Sequence, residues 1–177
     1  MERAWNRASS ASKWNAAGTF EEKDVGRWAR DRLDALVRER GTFAVDVDVA
    51  GGRRRGEARV TRASKCEGEA TIVVIRGKPK HGFDFEVELE WCATFESEDD
   101  EGEGTTTSVK GTVSVPEASR DGAASEECFF EVKVNDRKAE HRDKEEACVR
   151  ALKARGEAFL VSVLKTLDAE LRERAEG

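Results

Sequence analysis

The stretch GFDFEVELEWCATF, residues 82–95, decides the fold. Phe83, Phe85, Val87, Leu89, Trp91, Ala93 and Phe95 fall on one side of a period-two alternation, with Asp84, Glu86, Glu88, Glu90 and Cys92 on the other. Period two is the side-chain repeat of a pleated strand, so residues 83–95 predict one strand roughly 40 Å long at about 3.3 Å per residue. One face of it is apolar and the other acidic. Such a strand belongs to an antiparallel sheet that is buried on one side and wet on the other, and its apolar face needs a cover.

The cover is at the C-terminal end. Over about residues 141–174, Cys148, Leu152, Phe159, Val163 and Leu167 recur at helical spacing, broadened by Leu160, Leu164 and Leu171. A helix of that length runs about 50 Å and needs an equally long partner for its apolar stripe. Gly156 lies inside it at a cost of about 1 kcal/mol relative to Ala; it either permits a close helix–sheet approach or is a tolerated defect.

Other elements fill in around this pair. Asp24 is a helix N-cap candidate, followed by Ala29, Leu33, Leu36 and Val37 at helical spacing and by Gly41 as a terminator. Phe43, Val45, Val47 and Val49 alternate as a strand. Gly51-Gly52 marks a turn, residues 55–64 a weaker strand and 70–75 a third one. GKPKHG, residues 77–82, has turn composition. ESEDDEGEG, residues 96–104, predicts a solvated loop. Val109, Gly111, Val113 and Val115 mark another strand, and CFFEVKV, residues 128–134, reads as the last, after a loop rich in Ser, Ala and Gly. The predicted class is α+β: an elongated antiparallel meander with an N-terminal helix and one long C-terminal helix packed along the sheet. Residues 1–12 read as a flexible tail and 13–177 as one domain.

Composition narrows the function. The 177 residues are 38% hydrophobic and 38% charged, with formal net charge −6 and a pI near 5.2. Acidity argues against general nucleic-acid binding, which needs a positive footprint. No apolar run reaches the ~20 residues of a membrane span, and the N-terminus has no signal-peptide core, so a cytoplasmic location is expected. The four cysteines form no C-x-x-C pair, and His81 and His141 have no metal-spaced partner. Neither a metal nor a cofactor is expected. No P-loop, dinucleotide or nucleophile-elbow motif is present. The carboxylates of 84–90 alternate with apolar residues, as a solvated face does.

The basic turn IRGKPKHG, residues 75–82, is the most informative local feature. Arg76, Lys78 and Lys80 cluster there, with His81 beside them. Arg offers a fork for carboxylate or phosphate and Lys a point charge. Two readings stand: a contact to an acidic patch on a protein partner, or a hairpin turn kept soluble by its charges. Arg53-Arg54-Arg55 carries the same ambiguity. The aromatic run from Trp14 to Lys23 is too apolar for a tail, and it reads as a strap that packs Phe20 and Trp28 on the core; Trp14 fits either role.

Several of these residues resemble one family. WNAAGTFEEKD at 14–24, Trp28, DRL at 31–33, Gly68-Glu69-Ala70, Arg76-Gly77-Lys78 and GFDFEVELEW at 82–91 follow the order found in the N-terminal domain of the activator of heat-shock-protein-90 ATPase. The resemblance covers roughly residues 13–174. It implies a co-chaperone, not an enzyme, that binds the chaperone's middle domain, with the chaperone's N-terminal domain as a further contact. It also implies stimulation of the ATPase by favouring the closed dimer. The family's basic motif is Arg-Lys-Gly-Lys; here the four positions are Ile75, Arg76, Gly77 and Lys78, so the first cation is missing and Lys80 lies outside the motif. Arg76, Gly77, Lys78 and Lys80 are the expected partner-binding residues. Some members carry an Asn- and Trp-rich N-terminal stretch. Its pattern differs here, so Trp14 and Asn15 are carried only as secondary contact candidates. The chain resembles the short, single-domain members and is expected to be monomeric when free. Two alternatives remain: an adaptor that binds without stimulating, and a helix-grip binder of a small apolar ligand in a hollow lined by Phe83, Phe85 and Phe159.

Overall fold

The computed structural model describes residues 20–49, 52–98 and 104–177; Trp14 and Asn15 lie outside them. The elements run β1 (Phe20–Asp24), α1 (Gly26–Arg40), β2 (Thr42–Val49), β3 (Gly52–Ile75), β4 (Lys78–Glu98), β5 (Gly104–Ser119), α2 (Arg120–Ser125), β6 (Glu131–Val134), a 3-10 turn (Ala139–His141) and α3 (Arg142–Glu176). The strands form one six-stranded antiparallel sheet in the order β1-β3-β4-β5-β6, with β2 also paired to β3. This is the expected α+β meander with a long helix on its apolar face.

β4 is as its alternation predicts: Phe83, Phe85, Val87, Leu89, Trp91, Ala93 and Phe95 are all buried. On the outer face, Arg62 bonds Glu90 at 2.7 Å and Lys65 bonds Glu86 at 2.7 Å. The carboxylates of β4 thus belong to a wet ion-pair lattice. The Arg62 guanidinium holds the Glu90 carboxyl below its usual range.

α3 buries Cys148, Leu152, Leu160, Val163, Leu164, Leu167 and Leu171, while Phe159 packs edge-on against Phe43 at 5.3 Å. At its N-terminal end Lys144 lies over the Phe95 ring and bonds Thr107. Gly156 marks a close approach, although to an aromatic ring and not to strand backbone: a Cβ there would sit 2.7 Å from Phe130 Cζ. The central ring, Trp91, is 1% exposed, worth about 4–6 kcal/mol of burial at ~25 cal/mol per Å². Its indole N–H has no acceptor among the described residues, which returns about 1–3 kcal/mol of that gain. Burial still wins.

Four expectations need correction. The strands predicted at 55–64 and 70–75 are one strand, β3. Register shifts between Val60 and Arg62 and between Ala63 and Lys65 reset the alternation, and so the period-two signal fades in the middle. The turn is not 77–82 but the pair Arg76-Gly77, with φ +52° and +76°; Lys78 already pairs with Ile75. This two-residue geometry follows the right-handed twist of its strands. The Ser/Ala/Gly-rich loop contains α2, capped where Ser119 Oγ accepts the Gly122 N–H, and the last strand shrinks to Glu131–Val134. α1 begins at Gly26, although Asp24 still accepts the Gly26 N–H at 2.8 Å.

β1 and β2 occupy the same edge of β3, pairing with Thr71–Ile75 and Gly52–Arg59 respectively. α1 serves the edge between them. Asp34 accepts the Ala63 N–H at 2.7 Å, Arg30 donates to the Gly68 carbonyl at 3.2 Å, and the Val25 N–H donates to the Ala70 carbonyl at 2.9 Å. An edge left open there would invite pairing with other chains. The Arg32 guanidinium grips Glu170 through two bonds of 2.7 and 2.8 Å, tying α1 to α3.

The space between helices and sheet is filled. Two voids among the described residues, one bordered by Leu33 and Leu164 and the other by Phe43 and Phe159, hold about 10 Å³ each, barely a water's worth. Neither has room for the apolar ligand of a helix-grip binder.

Gly111 and Gly82 give opposite forecasts. A Cβ at Gly111 would sit 2.0 Å from the Lys133 carbonyl oxygen and 2.5 Å from the Trp91 ring, whereas one at Gly82 meets nothing within 4 Å. Gly111→Ala should lower unfolding stability by at least about 2 kcal/mol, and Gly82→Ala should hold or gain about 0.5 kcal/mol. Urea titration followed by tryptophan fluorescence measures both; equal midpoints would contradict the packing described.

Candidate functional site

The β3–β4 hairpin carries the predicted contact residues. Cross-strand partners share a face. Ala70 opposite Phe83 and Ile72 opposite His81 point to the core; Val73 opposite Lys80 and Ile75 opposite Lys78 therefore point outward. β1 adds Phe20 beside Ile75 and Glu22 beside Val73. The outer face of the hairpin thus has a row of Phe20, Ile75 and Lys78 and a second row of Glu22, Val73 and Lys80, with Arg76 at the tip.

Residues 75–80 are all exposed, and Ile75 is 39% exposed, a large apolar side chain open to water. Arg76, Lys78 and Lys80 enter none of the ion pairs among the described residues. Elsewhere on the sheet Arg53, Arg59, Arg62 and Lys65 have carboxylate partners, while Lys23, Arg54 and Lys110 enter no ion pair among the described residues. The structure thus brings Arg76, Gly77, Lys78 and Lys80 together on one exposed hairpin end. Gly77 contributes conformation: φ +76° is open to glycine at little cost.

His81 does not join the cluster. Its side chain is 7% exposed, and its Nε2 lies 2.7 Å from Asp168 Oδ1 on α3. Arg120 and Arg172 also bind Asp168, at 3.2 and 3.1 Å, and Arg120 donates to the His81 carbonyl at 3.3 Å. This cluster clamps the root of the hairpin to α2 and α3. The alternation carried the signal: His81 lies two residues before Phe83 and so shares its buried side. The outward apolar row of Phe20, Val73 and Ile75 was also missed, because only the strand pairing assembles it.

Nothing at the hairpin is arranged for bond chemistry. Among the described residues no group of three or more His, Cys, Asp or Glu could hold a metal. Burial pushes the thiols of Cys66 and Cys128 up to about 11 and that of Cys148 up to about 12, which leaves them protonated and weakly nucleophilic. No helix among the described residues is long and apolar enough to cross a membrane.

Comparison with known proteins gives the arrangement a context. The family model described as "Activator of Hsp90 ATPase, N-terminal" matches residues 22–175. The human protein "Activator of 90 kDa heat shock protein ATPase homolog 1" is 28% identical over 119 residues. That match covers 67% of this chain but 29% of the human protein, so the chain spans less than a third of that relative's length. The crystal structure of Aha-1 from Plasmodium falciparum superposes with a TM-score of 0.60 at 16% identity, covering 88% of this chain and 90% of that one; at that identity the likeness is one of fold.

If the Asp168 cluster holds the hairpin root, Asp168→Ala removes charge-assisted bonds worth about 1.5–3 kcal/mol. Amides of 71–82 should then exchange at least about tenfold faster in native-state hydrogen exchange, while those of α1 keep their rates. Unchanged exchange at 71–82 would show that strand pairing alone fixes the hairpin.

Proposed function

The chain belongs to the family of the N-terminal domain of the activator of Hsp90 ATPase, and from that premise we propose that it is a co-chaperone and not itself an enzyme. It binds the middle domain of heat-shock protein 90 in the cytoplasm and stimulates the chaperone's ATPase by favouring the closed, hydrolysis-competent dimer. The observation that supports the contact is the hairpin end, where Arg76, Lys78 and Lys80 have no carboxylate partner among the described residues and stand beside exposed Ile75.

The physics suits such a role. An activator shifts a two-state equilibrium only by its differential affinity for the two states. A tenfold shift needs about 1.4 kcal/mol of preference for the closed form, within reach of one or two desolvated charge contacts. A rigid hairpin holds those charges in place, so less ordering entropy is lost on binding. Cationic tips also steer association with an acidic surface.

Ile75 favours a second reading. It replaces the first cation of the family's basic motif with an exposed apolar side chain. The exchange preserves contact area but removes charge, as in an adaptor that binds without stimulating.

Steady-state ATPase rates of purified heat-shock protein 90, with increasing amounts of this protein and an inhibitor-blocked control, separate the readings. A saturable rise is expected, and Arg76→Glu with Lys78→Glu should abolish it with the circular dichroism spectrum unchanged. Full stimulation by the double variant would remove the hairpin from the mechanism. Calorimetric binding with no rise in rate would make the protein an adaptor.

A further inference from the structure

A second cationic surface lies away from the hairpin. α3 and β6 border an open groove of about 830 Å³. Val134 of β6 and Val149 of α3 contribute apolar wall, and Arg137, Lys138, Arg150 and Lys153 bring four positive charges to it. None of those four cations enters an ion pair among the described residues. The groove's two carboxylates are already engaged. Glu146 pairs with Arg142 at 3.0 Å, and Glu145, 8% exposed, accepts the Lys138 backbone N–H at 2.8 Å. Arg150 also borders a notch lined by Asp46, Asp48 and Asp143, so its charge is shared. Lys138 likewise borders a notch that Asp136 and Glu145 line, whereas Arg137 and Lys153 border the groove itself.

In a chain of net charge −6, a trough with apolar walls and a cationic rim, of which Arg137 and Lys153 border no second notch, selects for ligands that are anionic and apolar together. We propose that this groove docks an acidic peptide segment of a partner protein, one in which Asp or Glu alternates with large apolar side chains. Apolar side chains sit against Val134 and Val149, and carboxylates meet the four cations. β6 pairs only with β5, so the strand that supplies Val134 also has a free backbone edge for an extended segment to use. From Arg142 to Ala154 the groove follows about 18 Å of helix, enough for five or six extended residues. Lys153 lies fifteen residues before Asp168 on α3, about 22 Å along the axis, so the groove and the hairpin are separate surfaces.

The probe is the fluorescein-labelled peptide EDLEEFDE, titrated with the full chain and followed by fluorescence anisotropy. Saturable binding is expected, at least about tenfold weaker for Arg137→Glu with Lys153→Glu and for the peptide EDAEEADE, which lacks the apolar side chains. Circular dichroism of the double variant should match the parent. Arg76→Glu with Lys78→Glu should leave the affinity within about twofold, which keeps this outcome independent of the hairpin's role. Three results would overturn the proposal: no saturable binding; equal affinity for both peptides, which reduces the groove to a generic charge effect; or no peptide binding together with self-association in sedimentation that the groove variant abolishes, which would make a second copy the occupant.

Discussion

One contact organises this molecule: the apolar stripe of α3 laid along the alternating face of β4. Neither surface is stable alone. The helix carries seven large buried side chains from Leu152 to Leu171 on one stripe of a body otherwise rich in charge, and the strand has seven buried residues between Phe83 and Phe95. Pairing them buries both and leaves an acidic outer face that needs only water and a lattice of surface ion pairs. Close approaches at Gly111 and Gly156 let ring systems pass where a methyl group would clash. The voids beside Leu164 and Phe159 are water-sized, so among the described residues helix and sheet meet by close packing.

The hairpin follows from that contact. β3 and β4 run on past the clamp at His81 and Asp168 and end in a two-residue turn; Arg76 in that turn and Lys78 and Lys80 beside it enter no ion pair among the described residues. Core residues hold the strands and the clamp holds their root, which leaves the exposed end as the proposed contact surface. The same sheet with a flexible tip would lose more entropy on binding.

Legibility in the sequence tracked the simplicity of each pattern. Residues 82–95 could be read at once because one uninterrupted alternation has one interpretation, and α3 because its stripe persists for many turns. β3 could not, since two bulges reset its alternation and Gly68, at φ +137°, looks like a turn residue although it sits in a strand. Lys78, Pro79 and Lys80 have turn composition yet belong to β4, because the turn itself is closed by Arg76 in a left-handed conformation that arginine seldom adopts. Arg76, Lys78 and Lys80 stood out as a charge cluster open to two readings, and their reading as contact residues came from the family resemblance; the role of His81 was hidden because Asp168 is 87 residues away. The groove beside β6 had no sequence signature, as its cations come from the 137–138 segment and from two turns of α3.

The central claim is that the chain meets its partner through the outer face and tip of the β3–β4 hairpin. Hydrogen exchange followed by mass spectrometry, on the chain alone and with the isolated middle domain of heat-shock protein 90, tests it most directly. The account predicts new protection over residues 20–24 and 72–81, with the rest of the sheet unchanged. Protection confined to other segments, with the hairpin amides exchanging as in the free chain, would contradict it.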